Sequence, residues 1–327
     1  MSKLQILITQ YNETEDIVKP LLDSIENQKN IDLSKDIEVF IGNDGSDVKL
    51  SEEFLKKYSY PIRYYSLEHS DLPGCRQKLQ NLATADYIMF CDADDMFNSN
   101  VAISMILQTA QSGCDFIVCD FLAEVQTKDG QTIYSEYTND SVFVHGKVYR
   151  RQFLVDNCIE WHPELKYNQD SAFNALCRIL SKDTKIIKTP LYIWRDNPNS
   201  KTRIDKQIHT IKAWPYMIGS FDAFVNDLSL RGFGSYARYY AMYCLYLTYF
   251  TCITGRWSGQ ECIEYKENVY RRLVKFYRDH KLLLLYMTDE KQIEQIKEIT
   301  RKLAEAKGKL IETKPIETWM QSILNLY

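Results

Sequence analysis

The stretch "YIMFCDADDMF" at Tyr87–Phe97 joins a continuous apolar run directly to three carboxylates. An apolar run of this length is typical of a strand buried in the middle of a parallel sheet. Asp92, Asp94 and Asp95 stand where that strand would end. Neighbouring carboxylates repel one another unless a cation offsets their charge. The stretch therefore predicts either a ligand site or an ordinary Asp-rich turn with helix caps.

The chain around this stretch alternates short apolar runs with segments of helical spacing, which is typical of βαβ units. The predicted strands are Leu4–Thr9, Ile37–Gly42, Ile62–Leu67, Tyr87–Asp92 and Asp115–Phe121. The predicted helices include Gly74–Ala85 and Asn100–Ser112. We expect an α/β fold over residues 1–200, with a Rossmann-like, mostly parallel sheet flanked by helices. From about Lys201 the strand pattern stops, which predicts a smaller α-helical C-terminal domain over 201–327.

The composition is that of a globular protein with a full core, since 45% of the 327 residues are hydrophobic and 26% are charged. A formal charge of −4 and a pI near 5.8 argue against nucleic-acid binding, which needs a basic surface. Nine cysteines without a CxxC pair predict buried, reduced thiols. Because no signal peptide precedes the first strand, we expect a cytoplasmic protein.

Three of the predicted strands end in polar side chains. Thr9, Tyr11 and Glu13 follow the first strand, Asp44 lies in the "GNDGSD" turn after the second, and the three aspartates follow the fourth. Carboxyl ends of parallel strands meet at one edge of the sheet, where α/β folds bind ligands. Base edges and ribose hydroxyls suit carboxylate acceptors, and a pyrophosphate needs a divalent cation beside Asp. We therefore expect a nucleotide site at this edge.

Several segments, in this order along the chain, resemble motifs of the inverting family-two glycosyltransferases, which have the GT-A fold. They are "TQYNE" at Thr9–Glu13, "NDGS" at Asn43–Ser46, Cys75–Asp95, "HGKVYRRQFL" at His145–Leu154, "WHPELKYNQDSAF" at Trp161–Phe173 and "PLYIWRDNPNSKT" at Pro190–Thr202. The resemblance covers roughly the first 200 residues. It departs at Asn43, where the family has Asp, and at Gln77 and Leu79, where Asn and Gly are usual.

The resemblance implies an enzyme that moves a sugar from a nucleotide sugar, which we expect to be a UDP-sugar, to a hydroxyl of a glycan, polymer or protein acceptor. The implied donor-binding residues are Thr9, Tyr11, Glu13, Asp44, Arg76 and Asp92. Tyr11 would stack on the base, and Arg76 would contact the nucleotide or its phosphates. As alternatives, Tyr11 is a core aromatic and Arg76 a solvated helix-face residue.

The resemblance also implies a divalent cation, Mn²⁺ or Mg²⁺, bound by Asp92 and Asp94, since all-oxygen ligation suits these ions. Asp95 is expected to cap the next segment or brace its neighbours. The family often supplies a His as a further ligand, and the corresponding residue here is Asn197. His145 or His162 could take its place.

Asp170 is, by the same resemblance, the general base that takes the proton of the acceptor hydroxyl. The alternative is that Asp170 caps the helix "SAFNALCRIL". Gln169 replaces the usual Glu beside it. The residues expected on the acceptor side are His145, Lys147, Gln169 and Trp194.

The segment Tyr236–Thr254 is a long run of low charge that includes Arg238 and many tyrosines. We interpret it as a buried or interfacial helix, with a transmembrane span as the alternative. Its aromatic density predicts that the C-terminal helices form an acceptor-side or self-association surface, and peripheral contact with the inner membrane face is a further expectation.

Three other functions stay open from the sequence. A sugar nucleotidyltransferase would carry a Gly-rich basic phosphate loop, and "ITQYNETED" has no glycine. A catalytically silent nucleotide-sugar-binding or scaffold protein would account for the departures at Gln169 and Asn197. A phage-type enzyme that glycosylates DNA is disfavoured by the acidic charge balance.

Overall fold

The computed structural model describes residues 3–127, 129–162, 165, 167–197, 206–254, 257, 262–310 and 315–327. The chain divides into two compact units, Met1–Pro198 and Asn199–Tyr327. The predicted domain boundary near residue 200 lies outside the described residues.

One mixed sheet organises the first unit. Its described strands are β1 (Leu4–Gln10), β2 (Ile37–Asp44), β3 (Ile62–Leu67), β4 (Tyr87–Asp92), β5 (Met96–Phe97), β6 (Phe116–Gln126), β7 (Thr132–Tyr137), β8 (Lys147–Arg150) and β9 (Thr184–Trp194). They lie in the order β3-β2-β1-β4-β8-β6-β9-β5, and β7 pairs with β6. β1 to β4 are parallel, as predicted, but β8 is antiparallel to both of its neighbours. The sheet is therefore parallel on one side and mixed on the other.

The sheet is flanked by helices. Those described are α1 (Glu15–Glu26), α2 (Leu33–Asp36), α3 (Glu52–Leu55), α4 (Asp71–Leu82), α5 (Ala102–Ala110), α6 (Arg151–Asp156) and α7 (Gln169–Leu180). α4 begins at Asp71, before the predicted start at Gly74, because a proline such as Pro73 is accepted in the first turn of a helix.

β4 is the central strand that its sequence predicts, and every residue before Asp92 is buried. Met89 and Cys91 belong to the main hydrophobic core. Phe90 packs edge-on against Trp161 and Phe173, with ring centroids 5.1 and 6.1 Å away. Both faces of β4 are thus covered, which is what a continuous apolar run requires.

Eight of the nine cysteines are buried, as the sequence predicts for most of them.

The strand register brings the predicted polar ends together. Thr9 on β1 lies beside Gly42 on β2 and beside Asp92 on β4. Asp44 is the last residue of β2 and pairs with Leu67 of β3. Because all of these positions are carboxyl ends of parallel strands, they share one edge of the sheet, as predicted.

The second unit consists of helices joined by loops, and one isolated bridge pairs Thr254 with Leu310. The described helices are α8 (Lys206–Leu230), α9 (Gly234–Cys252), α10 (Ile263–Asp279), α11 (Lys281–Leu285), α12 (Glu290–Glu305) and α13 (Ile316–Leu324). About half of α9 is buried, and among its aromatic residues Tyr236 is the prominently exposed one. Two of its seven aromatic residues, Tyr246 and Tyr249, are buried, and four are partly buried. The predicted acceptor-side or self-association surface stays a prediction. Among the described helices, none combines the length and the apolarity needed to cross a bilayer.

Candidate active site

Arg76 on α4 connects two of the predicted site carboxylates. Its Nη2 donates to Oδ1 of Asp92 across 2.8 Å, and its Nη1 donates to Oδ1 of Asp170 across 2.5 Å. The side chain is only 1% exposed, and its guanidinium carbon lies 4.8 Å from the centroid of the Trp161 ring. Burial alone would lower the pKa of Arg76, but the two carboxylates raise it above its ordinary value. Arg76 is not a solvated helix-face residue, so that alternative is wrong.

The two carboxylates remain accessible although the guanidinium between them is buried. The side chains of Asp92 and Asp170 are 29% and 20% exposed. Burial disfavours the charged form of Asp92, yet the positive charge of Arg76 holds its pKa below the ordinary value. A ligand at this edge can therefore contact both acids, while Arg76 keeps their positions constant from beneath.

Asp170 lies in the first turn of α7, after Asn168, which occupies the N-cap position with a left-handed φ of 59°. Its Oδ2 accepts a hydrogen bond from the backbone N–H of Val144 at 3.2 Å. The carboxylate is thus directed to Arg76 and Val144 and does not cap its own helix. The capping alternative for Asp170 is wrong.

His145 forms a compact group with Asp92 and Asp95, whose nearest ligand atoms all lie within 4.8 Å of one another. Gly146 makes the turn after it with a φ of 67°, where an added Cβ would come within 2.7 Å of the Cys119 carbonyl oxygen. Nδ1 of His145 is buried and lies 3.4 Å from Oδ2 of Asp95. It has no hydrogen-bond partner among the described residues. Burial lowers the pKa of His145, which favours the neutral, ligating form.

Two carboxylates and a neutral imidazole with an unsatisfied nitrogen suit a divalent ion such as Mn²⁺. These residues therefore fit the cation that the family resemblance implies. His162, the other histidine considered for this role, is exposed and outside the group.

Asp94 and Asp95 are placed differently. Asp95 is fully buried and accepts hydrogen bonds from the Tyr192 hydroxyl at 2.9 Å and the Arg195 backbone N–H at 3.0 Å, so it braces its neighbours. Oδ2 of Asp94 accepts from Nδ2 of Asn197 at 2.7 Å. Burial raises the pKa of both Asp94 and Asp95, and the negative charge of Asp92 raises it further. A bound cation would relieve the repulsion among these carboxylates. Metal binding by Asp92 and Asp94 stays a prediction. The structure places His145, already a candidate ligand from the sequence, beside Asp92, and it adds Asp95 as a further candidate.

Asp44 is tied to the start of the helix that carries Arg76. Its Oδ1 accepts from the backbone N–H of Ser70 at 2.8 Å and from the Ser70 hydroxyl at 3.0 Å, and Ser70 is the N-cap residue of α4. Nδ1 of His69 lies 3.0 Å from its Oδ2. Asp44 is thus hydrogen-bonded to the N-cap residue of the helix that carries Arg76, and donor contact by Asp44 stays a prediction.

Asn43, which replaces the family's Asp, uses both ends of its amide. Its Oδ1 accepts from the backbone N–H of Ser46 at 2.7 Å, and its Nδ2 donates to the hydroxyl of Tyr64 at 2.7 Å. A carboxylate could accept the first bond but could not donate the second. These two hydrogen bonds account for an asparagine at position 43 without any contact to a ligand.

Tyr11 is 49% exposed, and its ring stacks on His69 with centroids 4.9 Å apart. The core-aromatic alternative for Tyr11 is therefore wrong. His69 is not among the residues predicted from the sequence, although it lies two positions beyond the end of β3, where a strand-end site residue would be expected. The two rings form an exposed aromatic surface on which a base can stack.

Glu13 and Thr9 complete the predicted donor side. Oε2 of Glu13 accepts from the Tyr11 backbone N–H across 2.5 Å. Burial raises the pKa of Glu13 to about 7, and the charges of Asp94 and Asp92 add to the effect. Thr9 is buried within β1. Donor contacts by these residues stay predictions.

Of the four residues expected on the acceptor side, His145 contacts two, Trp194 and Lys147. The rings of His145 and Trp194 stack with centroids 5.2 Å apart. Lys147 is fully buried, and its Nζ donates to the His145 carbonyl oxygen across 3.0 Å. Gln169 is the first residue of α7, next to Asp170. In this structure Lys147 supports the backbone of His145, and acceptor contact by the four residues stays a prediction.

Parallel strand ends that meet at a carboxylate-rich edge, in a sheet continued by antiparallel strands, define a fold of the GT-A class. Two solved structures share it. Residues 1–349 of S. aureus TarS match with a TM-score of 0.62 at 13% identity, covering 93% of this chain and 92% of that one. The complex of the same fragment with UDP-GlcNAc matches with a TM-score of 0.58 at 14% identity, covering 95% and 94%. The predicted GT-A fold is confirmed.

Sequence comparison finds similarity to one family over just under half of the chain. Residues 5–162 match the model of Glycosyl transferase family 2. The uncharacterized glycosyltransferase EpsJ of Bacillus subtilis is 25% identical over 223 residues, which are 62% of this chain and 63% of that protein. Glycosyltransferase GlyA of Streptococcus pneumoniae is 23% identical over 238 residues, 64% of this chain and 33% of that protein. The match thus spans less than two thirds of each of these relatives. Over residues 5–162 the chain is thus similar to glycosyl transferase family 2.

Proposed function

We propose that this protein transfers a sugar from a nucleoside diphosphate sugar to a hydroxyl of a glycan, polymer or protein acceptor, with inversion at the anomeric carbon. The observation that carries the proposal is that buried Arg76 binds both Asp92, on the donor side, and Asp170, the base. Inversion needs the base and the leaving group on opposite sides of the anomeric carbon. Two accessible acids held by one buried cation suit these two roles.

The donor is, on this proposal, a UDP-sugar. Asp44 and Glu13 offer carboxylate oxygens to the base edge and the ribose, and the stacked rings of Tyr11 and His69 offer a surface for the base. The complexes of TarS with UDP and with UDP-GlcNAc support this choice, because that protein shares the fold.

Asp92 and Asp94 would hold Mn²⁺ or Mg²⁺, with Asp95 and His145 as further ligands. Such a cation neutralises charge on the diphosphate as it departs. The contribution of the chain is to keep Asp92 ionised, through the charge of Arg76, and to keep the imidazole of His145 neutral, through burial. Both states are the ones in which these side chains bind metal.

Asp170 receives the proton. The acceptor oxygen forms a bond to the anomeric carbon as the bond from that carbon to the diphosphate oxygen breaks, and the electron pair leaves with the diphosphate. The acceptor proton moves to Oδ2 of Asp170, for which the described residues provide one other hydrogen bond, from Val144. Because Arg76 holds Oδ1, the carboxylate cannot rotate away from this geometry.

The test is a panel of nucleotide sugars incubated with the protein in Mn²⁺, Mg²⁺ or EDTA, with release of the nucleoside diphosphate as the readout. We expect release from one UDP-sugar, only with a divalent cation, and faster with a competent acceptor. Calorimetry with UDP and Mn²⁺ runs alongside. UDP binding without release from any donor would support the silent binding protein instead, and full release in EDTA would remove the cation from the mechanism.

A further inference from the structure

A groove between α8 and α10 collects positive charge. It encloses about 690 Å³, which is the size of a small-molecule site. Its charged lining residues are Lys212 from α8 and Arg271, Arg272 and Lys275 from α10, and the described lining contains no acidic residue. This concentration of cations is notable in a chain whose formal charge is −4.

The protein itself neutralises little of this charge. Lys275 pairs with Asp279 on its own helix. Nζ of Lys212 lies 5.0 Å from the centroid of the Tyr265 ring, and the guanidinium carbon of Arg271 lies 4.6 Å from that of Tyr327. Within the described part of the chain, no ion pair with a carboxylate involves Lys212, Arg271 or Arg272. The groove is therefore a region of positive potential that attracts anions.

The nearby carboxylate of Asp222 is already used. It lies 2.7 Å from Nε2 of His280, and this hydrogen bond is the main reason that the pKa of Asp222 is lowered, with smaller effects from Lys275 and Arg272. Asp222 is outside the groove lining. An external anion would thus add a counter-charge that the fold does not provide.

The shape of the groove suits an extended ligand with rings. Arg272 lies across Gly219 of α8, where an added Cβ would come within 3.0 Å of its Nη2. A guanidinium in such a position can bind a carboxylate or phosphate with two parallel hydrogen bonds. Tyr216 is 54% exposed, and Tyr265 lines the facing side. Such aromatic faces pack against flat apolar surfaces, including those of sugar rings.

We propose that this groove binds an acid-bearing glycan. Its carboxylates or phosphates contact Lys212, Arg271 and Arg272, and its sugar rings pack on Tyr216 and Tyr265. A concave groove suits a chain better than it suits a flat membrane, and the acidic charge of the whole protein disfavours nucleic acid. Binding at the groove does not depend on the active site. That the bound glycan is the acceptor rests on the proposed glycosyl transfer.

The test uses the full chain at low salt and measures binding of a fluorescent hyaluronan octasaccharide and of pentamannose phosphate, with neutral maltooctaose as the uncharged probe. The variant Arg271→Gln/Arg272→Gln removes two groove charges. The matched control Arg301→Gln/Lys302→Gln removes two charges from exposed positions on α12. We expect at least one anionic glycan to bind, at least about tenfold more weakly to the groove variant, and equally to the control. Circular dichroism and melting curves verify that both variants fold.

Equal affinity of the groove variant and the control would overturn the proposal, and so would equal binding of maltooctaose. Binding only to phosphatidylglycerol vesicles, or only to single-stranded DNA, would assign the groove to a membrane or to nucleic acid instead. Release of nucleoside diphosphate by the wild-type protein is measured separately. Its absence would count against the proposed transfer and leave the glycan-binding result standing.

Discussion

Arg76 and Asp170 are 94 positions apart in the sequence, and Nη1 of the arginine lies 2.5 Å from Oδ1 of the aspartate. The guanidinium is buried, whereas the carboxylate keeps part of its surface exposed. An arginine in this position is an internal support that holds a partly exposed acid in place. The pair links α4, which carries Arg76, to α7, which begins just before Asp170.

The first prediction concerns this support. Arg76→Met keeps much of the side-chain volume but leaves Asp92 and Asp170 without their shared counter-charge. We expect the free energy of unfolding to fall by about 3 kcal/mol, the low end for breaking a buried pair, because both acids are partly exposed. Urea denaturation near pH 7 measures it. Arg63→Met is the control, since its pair with Glu38 is at the surface, and it should cost about 0–1 kcal/mol. Equal losses in the two variants would contradict the supporting role.

The second prediction concerns Asp170 as the base. Asp170→Asn keeps the size of the side chain but removes proton acceptance, so release of the nucleoside diphosphate should fall by about 10²–10⁴-fold. UDP affinity in Mn²⁺ should stay nearly unchanged. Because Asp170 pairs with buried Arg76, we also expect Asp170→Asn to lower the free energy of unfolding. If Asp170 only capped its helix, the same change would leave the stability unaltered, since Asn caps as well as Asp.

The control for the second prediction is Asp183→Asn, which makes the same change at a surface position that pairs with Lys185. It should leave turnover intact. Turnover by Asp170→Asn near the wild-type rate would end the assignment of this residue as the base.

The third prediction concerns the donor side. Asp44→Ala removes the carboxylate that the base or ribose would contact, and it also frees Ser70 at the start of α4. UDP affinity in Mn²⁺ should fall by at least about tenfold, measured by calorimetry, as expected for the loss of a hydrogen bond to a charged group. Asp47→Ala, at an exposed position three residues on, serves as the control. Unchanged affinity in Asp44→Ala would remove this residue from the donor site.

The fourth prediction uses the pKa of Glu13, which burial raises from 4.5 to about 7. Between these pH values the unfolded chain has lost a proton that the folded chain still binds. Stability therefore falls as pH rises from 4.5 to 7 and changes no further above that on account of Glu13. Glu13→Gln removes the effect, so its stability advantage over the wild type should grow across this window and then level off.

Urea midpoints in EDTA at several pH values measure this advantage. Glu52→Gln is the opposite control, because the hydrogen bond from Lys56 lowers the pKa of Glu52. This variant should therefore gain no stability relative to the wild type as the pH rises. A constant difference between Glu13→Gln and the wild type at all pH values would contradict the raised pKa.

Sequence patterns alone predicted the parallel half of the sheet. β3 and β4 have the predicted bounds, Ile62–Leu67 and Tyr87–Asp92. The patterns succeeded there because apolar runs and the turns between them are local properties, and a parallel arrangement follows from the helices between strands. The same patterns could not predict β8, whose four residues "KVYR" form a strand only because β4 and β6 pair with it on either side.

The sequence by itself determined which residue types stand at the strand ends, and thereby the acid-rich edge that includes Asp44 and Asp92. Only the tertiary structure decided how those acids are used. It buried Arg76 between Asp92 and Asp170, placed His145 beside Asp95, and directed Asp170 away from the cap of its own helix. These relationships depend on packing between elements far apart in the chain, because burial turns a surface charge into one that needs a partner. Local spacing carries no information about which partner that will be.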